Sequence, residues 1–446
     1  MKNAKPIDEK TLTTYFKKYS KERVNTVVRH ALASSTMDVI AKNQDRASET
    51  DFSFSLEVKT MDVANQKRSG RCWIFAATNV LREIIAKKCN MSSFELSQSY
   101  VAFYDKLEKY NFELEAIIDL LGSEHDDRTL VHVLNNSIGD GGQWDMFVNV
   151  VKKYGIVPKN VYPETATSSN TGVMNRLIDT ELRKFAAWAN NAYKNGTSMD
   201  EIREVKEALL KKFTDLMVSC YGVLPTKFSF EYVDKDGKYH IKDGFTPKSF
   251  FDKYIGSEID EYVSCINAPT ADKPFNKSYT IAYLGNVVGG KDVKHLNVTM
   301  DRMIELILSQ LKDNQIVWFG SDVSYYGDRP NGEWNDKMYD YDSLFGLDFS
   351  SDKAEGLDYG ISQMNHAMCI TGVNLKNGVP TKWKIENSWG AENGKKGFYI
   401  MSDTWFKKYT YQAVVKKCYL TEDELKAYNA DPVVLKPWDP MGSLAD

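Results

Sequence analysis

The sequence predicts an α+β protein: a helix-rich first part, a mixed middle and a β-rich last part. Three observations lead there. Apolar residues recur at helical spacing through several segments of the first 220 residues, whereas from about residue 318 to 420 short β-like runs take over. Between them, "FSFEYVDKDGKYHIKDGF" carries two β-rich segments around Asp236-Gly237, a hairpin signal. At 446 residues the chain also exceeds the roughly 250–300 at which a single core stops growing, so two or three lobes are expected.

Each element has a local cause. From Ile74 onward, Ile74, Ala77, Leu81, Ile84 and Ile85 mark an amphipathic helix over 72–88, with Lys87 and Lys88 in its last turn. "FELSQSYVAFYDKLEKY" continues the helical pattern. In "GDGGQWDMFVNVVKKYGIVP" a glycine turn precedes a helix that Gly155 and Pro158 end. The polar run "TATSSNTG" (165–172) reads as a linker or lobe boundary. Beyond it, Ile202, Val205, Leu209, Phe213 and Met217 share one helix face. Thr246 and Pro247 open a further helix as cap and first-turn proline. The stretch 299–318 reads as helix then strand, followed by "HAMCITGV", "PTKWKIENSW" and "KGFYIMSD" as strands.

Composition excludes several functions. The formal net charge is -4, and lysine pairs such as Lys211-Lys212 and Lys407-Lys408 are interleaved with acids. No basic stripe forms, so neither nucleic acid nor an anionic membrane is an expected partner. No apolar run approaches the ~18 residues that would cross a bilayer. "MKNAKPIDEKTLTTYFKKYS" lacks the apolar core of a secretory signal, which points to the cytoplasm. The six cysteines show no CxxC pair and no regular spacing, which argues against a disulfide scaffold and a structural zinc site. No metal or organic cofactor is expected.

Chemistry is concentrated around "NQKRSGRCWIFAATNVLREI" (65–84). A thiol at a helix N-terminus has its thiolate stabilised, so Cys72 is a candidate nucleophile. The plain alternative is a small buried residue, a common fate of free cysteine. A cysteine hydrolase also needs an imidazole, a group that orients it and donors for the oxyanion. His366 opens a buried strand in "NHAMCITGV", where a satisfied core histidine is the ordinary alternative. Asn387 in "ENSWG" lies 21 residues further on as an amide orienter, and Trp389 can shield that bond. Gln66 lies six residues before Cys72, where its amide can meet the oxyanion together with the Cys72 N–H.

Taken together, in the order Gln66, Cys72, His366, Asn387, these motifs resemble the papain superfamily. "GDGGQW" is similar to its double-glycine wall, which implies that backbone groups of Gly141 and Gly142 hold an extended substrate. Two departures narrow the resemblance. The secreted signature C-G-[SA]-C-[WY] here reads Ser69-Gly70-Arg71-Cys72-Trp73, with serine at the half-cystine position. His366 follows Cys72 by 294 residues, against ~130–150 in the papain pattern. With "QKRSGRCW", "YDYDSLFG", "MNHAM", "IENSWG" and "PWDPMGSLAD", the chain resembles the bleomycin hydrolase / aminopeptidase C family over nearly its whole length.

That resemblance implies a papain-like two-lobed cysteine peptidase with a helical left lobe and a β-barrel-like right lobe. The expected organisation is 1–164 for the N-terminal segment and left lobe, 165–290 for an inserted helical and hairpin oligomerisation region, and 291–446 for the right lobe and C-terminal arm. It further implies an intracellular aminopeptidase acting on peptides and a homo-oligomer, a hexamer. Cys72 would rest largely as thiolate beside protonated His366. The arm would enter the cleft, so that Ala445 and Asp446 bind the substrate with Gly141, Gly142 and Trp389. The rival readings are an endopeptidase homologue with a displaced arm and a catalytically silent, chamber-forming binding protein.

Overall fold

The computed structural model describes residues 4–45, 51–136 and 138–445. Helices α1 (Glu9–Lys21), α2 (Arg23–Leu32) and α3 (Met37–Ala41) open the chain, followed by a short strand β1 (Leu56–Glu57). Helices α4 (Cys72–Cys89), α5 (Gln98–Asp119), α6 (Arg128–Asn135) and α7 (Trp144–Tyr154) form the helical lobe. Next come α8 (Gly172–Lys194), α9 (Met199–Tyr221), the hairpin β2 (Phe228–Val233) and β3 (Tyr239–Phe245), and α10 (Pro247–Tyr254). The rest is mostly sheet: β4 (Tyr262–Ile266), β5 (Lys277–Ile281), β6 (His295–Asn297), α11 (Met300–Lys312), β7 (Val317–Ser321), β8 (Gly327–Asp328) and β9 (Glu333–Trp334). It continues through α12 (Tyr341–Phe345), α13 (Lys353–Asp358), β10 (His366–Lys376), β11 (Val379–Glu386), β12 (Phe398–Ser402) and α14 (Asp403–Tyr409). The last elements are β13 (Thr410–Lys416), α15 (Glu422–Asn429), β14 (Val433–Leu435) and a 3-10 turn over Pro440–Ala445.

Among the described residues the large sheet runs in the order β14-β5-β6-β4-β13-β7-β10-β11-β12-β9-β8, with β1 added on β10. The central strands β7, β10 and β13 are buried along most of their length, which explains why they read as unbroken apolar runs. No helix among the described residues is long and apolar enough to cross a membrane.

Local expectations met tertiary context in instructive ways. The β2–β3 turn has Gly237 at φ 78°, a conformation that favours glycine, and Thr246 forms a capping box with Ser249. On α9, Ile202, Phe213 and Met217 are buried while Val205 and Leu209 are half-buried. Helix α4 is not the amphipathic surface helix its periodicity suggests. It is buried from Cys72 through Arg82, because β10 covers one side and α5 and α7 the other. The polar run 165–172 is likewise no solvated linker. Ser168 is fully buried, its hydroxyl donating to Glu164, because the polar chains of this run satisfy groups beneath the cleft.

Candidate active site

The site forms where the N-terminus of α4 meets the start of β10. Arg71 caps the helix and Cys72 is its first residue, so the Cys72 N–H has no partner within the helix. The Ala367 N–H donates to Cys72 Sγ at 3.4 Å, which brings the start of β10 and His366 against the thiol. Two further bonds fix that register: Trp318 Nε1–H donates to the Trp73 carbonyl at 3.2 Å and Cys369 Sγ–H to that of Ala76 at 3.2 Å.

The histidine is oriented by the next strand. His366 Nε2 lies 2.9 Å from Asn387 Oδ1, and the Ser388 N–H donates to the same oxygen at 2.8 Å. A backbone N–H can only donate, so the atom it meets is the amide oxygen, and Nε2 must carry a proton to bond there. Neutral His366 therefore keeps Nδ1 as its basic nitrogen. Trp389 stacks on the ring with centroids 4.7 Å apart and planes 27° from parallel. The Arg329 guanidinium lies 4.5 Å from the centroid of that indole.

Gln66 is buried and held at both ends of its amide. Ser388 Oγ–H donates to Oε1 at 2.5 Å, and Nε2 donates one hydrogen to the Ser69 carbonyl at 2.6 Å, leaving the second. Gln66, Cys72 and His366 line one cavity of about 480 Å³ with Gly141, Met364, Ser443 and Leu444.

Burial pushes the Cys72 thiol up to about 11, against the N–H groups of Ala367, Trp73 and Cys72 that favour the thiolate. Burial also pulls His366 down to about 4; the Asn387 bond acts the other way, and the charge of Arg329 adds to the fall. Burial thus opposes the resting thiolate–imidazolium pair that the sequence suggests, while the N–H groups at the start of α4 and β10 favour the thiolate. Cys72 and His366 line the same cavity, so a proton moved from Sγ to Nδ1 would leave two opposite charges that favour each other, and the pair can ionise as a unit.

The two glycines serve close approach. A Cβ on Gly141 would lie 2.5 Å from the Leu444 carbonyl oxygen, and one on Gly142 would strike the Trp73 indole at 2.4 Å. The Gly142 N–H donates to the Leu444 carbonyl at 3.0 Å. Upstream, Arg128 lies 3.7 Å from the Trp438 ring centroid, Lys273 pairs with Asp439 at 3.0 Å, and Ser443 Oγ–H donates to the Met364 carbonyl at 2.8 Å. Met441, Leu444 and Ala445 are buried. Asp446 lies outside the described residues.

Sequence reasoning missed three supports. Ser388, inside the "ENSWG" motif, links Gln66 to Asn387. Asp140 accepts from the Gly70 N–H at 2.9 Å, from Thr171 and Asn175, and pairs with buried Lys106 at 2.8 Å. Burial raises the Asp140 carboxyl, but Lys106 and the hydroxyl and amide donors win and hold it well below the usual carboxylate range. Glu386, directly before Asn387, accepts from Arg82 at 2.6 Å and Asn79 at 2.8 Å on α4, tying the Asn387 strand to the Cys72 helix.

The crystal structure of PepW from Lactobacillus rhamnosis HN001 matches 98% of this chain and 99% of its own with a TM-score of 0.95 and 42% identity. The fold is that of a papain-like cysteine peptidase. The Peptidase C1-like family model matches residues 6–442, and the chain belongs to that family. Aminopeptidase C of Lactobacillus delbrueckii subsp. lactis is 48% identical over 93% of this chain and 94% of its own length. Bleomycin hydrolase of Mus musculus is 38% identical over 86% of each. The chain is accordingly a cysteine aminopeptidase of the aminopeptidase C type.

Proposed function

We propose that Cys72 is the nucleophile and His366 its base, releasing N-terminal residues from peptides through an acyl-enzyme. Proton transfer from Sγ to Nδ1 generates the thiolate as it attacks the scissile carbonyl. The free hydrogen of Gln66 Nε2 and the Cys72 N–H stabilise the oxyanion, each such donor contributing ~3–4 kcal/mol in a well-studied case. His366 then protonates the leaving amine and later activates water. Asn387 holds the ring, and Trp389 keeps water from that bond.

The observation that carries the exopeptidase reading is the Gly142–Leu444 hydrogen bond, a backbone contact that an extended substrate would otherwise make. On this reading Leu444 and Ala445 close the cleft beyond the first substrate residue. A carboxylate of Asp446 receives the substrate ammonium, a pair stronger in a partly desolvated cleft than on an open surface. The test compares free and N-acetylated peptides on the full chain and on a form lacking residues 443–446. The full chain should cleave only free peptides, and the shortened form should gain N-acetylated ones. An unchanged exopeptidase preference would remove the arm from the mechanism.

The reading extends to assembly as a closed hexamer with active sites facing an internal chamber, with 165–290 as the oligomerisation region. Support comes from apolar residues left exposed on α8, Val173, Leu177 and Trp188, and from α1 and α2, which bury no residue within the chain. A cytoplasmic setting suits six unpaired cysteines. Light scattering tests the assembly; a stable particle of the 50.8 kDa chain mass at micromolar concentration would exclude it.

A further inference from the structure

The C-terminal segment occupies the cleft along Gly141 and Gly142, so substrate beyond the scissile bond must leave on the other side, past His366 and Trp389. Arg329 stands there. It is exposed on the turn between β8 and β9, and it has no salt bridge to any described residue, although acids surround it in sequence. Its backbone is fixed: its carbonyl accepts from Tyr399 Oη–H at 3.3 Å and from the Gly332 N–H at 3.2 Å. Its guanidinium lies 4.5 Å from the centroid of Trp389, which stacks on His366 and packs against buried Trp334. A cation laid on an indole keeps its edge donors free for a carboxylate.

We propose that Arg329 receives the C-terminal carboxylate of the leaving fragment, so that the enzyme favours short peptides with a free C-terminus. The inference rests on the reading of His366 as the group beside the leaving amine. A leaving dipeptide carries its carboxylate up to about 7 Å from its amine. The imidazole and the guanidinium both lie on one indole, 4.7 and 4.5 Å from its centroid, so an extended dipeptide with its amine at His366 has its carboxylate in reach of the guanidinium donors. Arg329 would then be a specificity residue, acting on binding of the primed side of the substrate and not on bond cleavage.

The test measures kcat/KM for Ala-Ala-Ala, its C-terminal amide and Ala-Asp-Ala amide, in wild type, Arg329→Gln and Arg329→Lys, at low and high salt. Wild type should prefer the free acid over the amide about fivefold, mainly through KM, with the preference shrinking in salt. Arg329→Gln should bring the ratio close to one, and Arg329→Lys should retain part of it. Three results would overturn the proposal. They are a ratio of one in wild type, a parallel loss of kcat on both Ala-Ala-Ala forms in Arg329→Gln with the ratio kept, and a preference for the aspartyl amide alone. A wild type that cleaves none of the three would instead strike the peptidase reading itself.

Discussion

Between Gln66 and Cys72 the backbone is fixed by partners from distant parts of the chain: Ser388 on Gln66, Ser169 on Arg68, Asp140 on Gly70 and Ala367 on the thiol. Between Glu9 and Leu32 not one residue of α1 or α2 is buried, and Tyr15, Phe16, Val24 and Val27 face outward. Both regions contain well-formed helix starts; α1 even has Asp8 as a side-chain cap. The difference teaches that local signals decide where a helix forms, while its stability comes from what covers its apolar face. Around the cleft the chain supplies that cover itself. In α1 and α2 it does not, and their apolar side chains stay exposed.

The comparison breaks most sharply at the thiol. Cys72→Ala should lower kcat by about 10⁴-fold or more, with His366→Ala nearly as damaging and Asn387→Ala milder, because the three act as one unit. The unfolding midpoint should stay close to wild type. Substantial residual hydrolysis in the alanine variant would show that the thiol is not the nucleophile.

Next in size is the buried pair beneath the site. Arg82 and Glu386 are almost wholly excluded from water, and burial raises the Glu386 carboxyl despite Arg82. Glu386→Gln removes the fully buried counter-ion of Arg82, leaving only the partly exposed Glu83 at 3.7 Å, and should cost up to about 3–5 kcal/mol in urea unfolding. Activity should fall as well, because Asn387 follows directly. A cost below 1 kcal/mol would mean that the register of β11 on α4 is held elsewhere.

Acid should act on the same interior. Burial pulls His366 down to about 4 and His295 to about 3 from an ordinary 6.5, so both are neutral in the fold and take up protons on unfolding. Their contribution is complete above pH 6.5 and is lost as pH falls toward the folded values. Near pH 5 these two histidines contribute about 2.7 kcal/mol per pH unit to the slope, which the raised carboxyls of Glu83, Glu113 and Glu386 oppose by holding protons in the fold. His295→Asn should lower the slope by about 1.4 kcal/mol per pH unit in denaturant titrations run between pH 4.5 and 6; an unchanged slope would mean that His295 is protonated in the fold.

The smallest effect on the chain's own stability is expected at the other extreme. Replacing Tyr15 and Phe16 by serine should change the unfolding free energy of a dissociated chain by less than about 0.5 kcal/mol. The same substitutions should shift the oligomer distribution in sedimentation if those side chains lie between copies. A large loss of stability without change in assembly would place their cover within the chain instead.

How much was legible depended on whether the cause was local. Gly237 in the β2–β3 turn, the Thr246 cap and the start of α4 at Cys72 follow from a few neighbouring residues, so their short-range chemistry is written in order. The set Gln66, Cys72, His366 and Asn387 was legible as residue types in sequence order, because each role demands a particular functional group. Tertiary structure alone decided how those groups stand. It buried α4 on nearly all sides, drew the polar run near Ser168 under the cleft, used Ser388 to orient two amides at once and laid Leu444 against Gly142. It also set how strongly burial opposes the ionisation of Cys72 and His366, since desolvation is set by everything that packs around a group and no sequence window contains that sum.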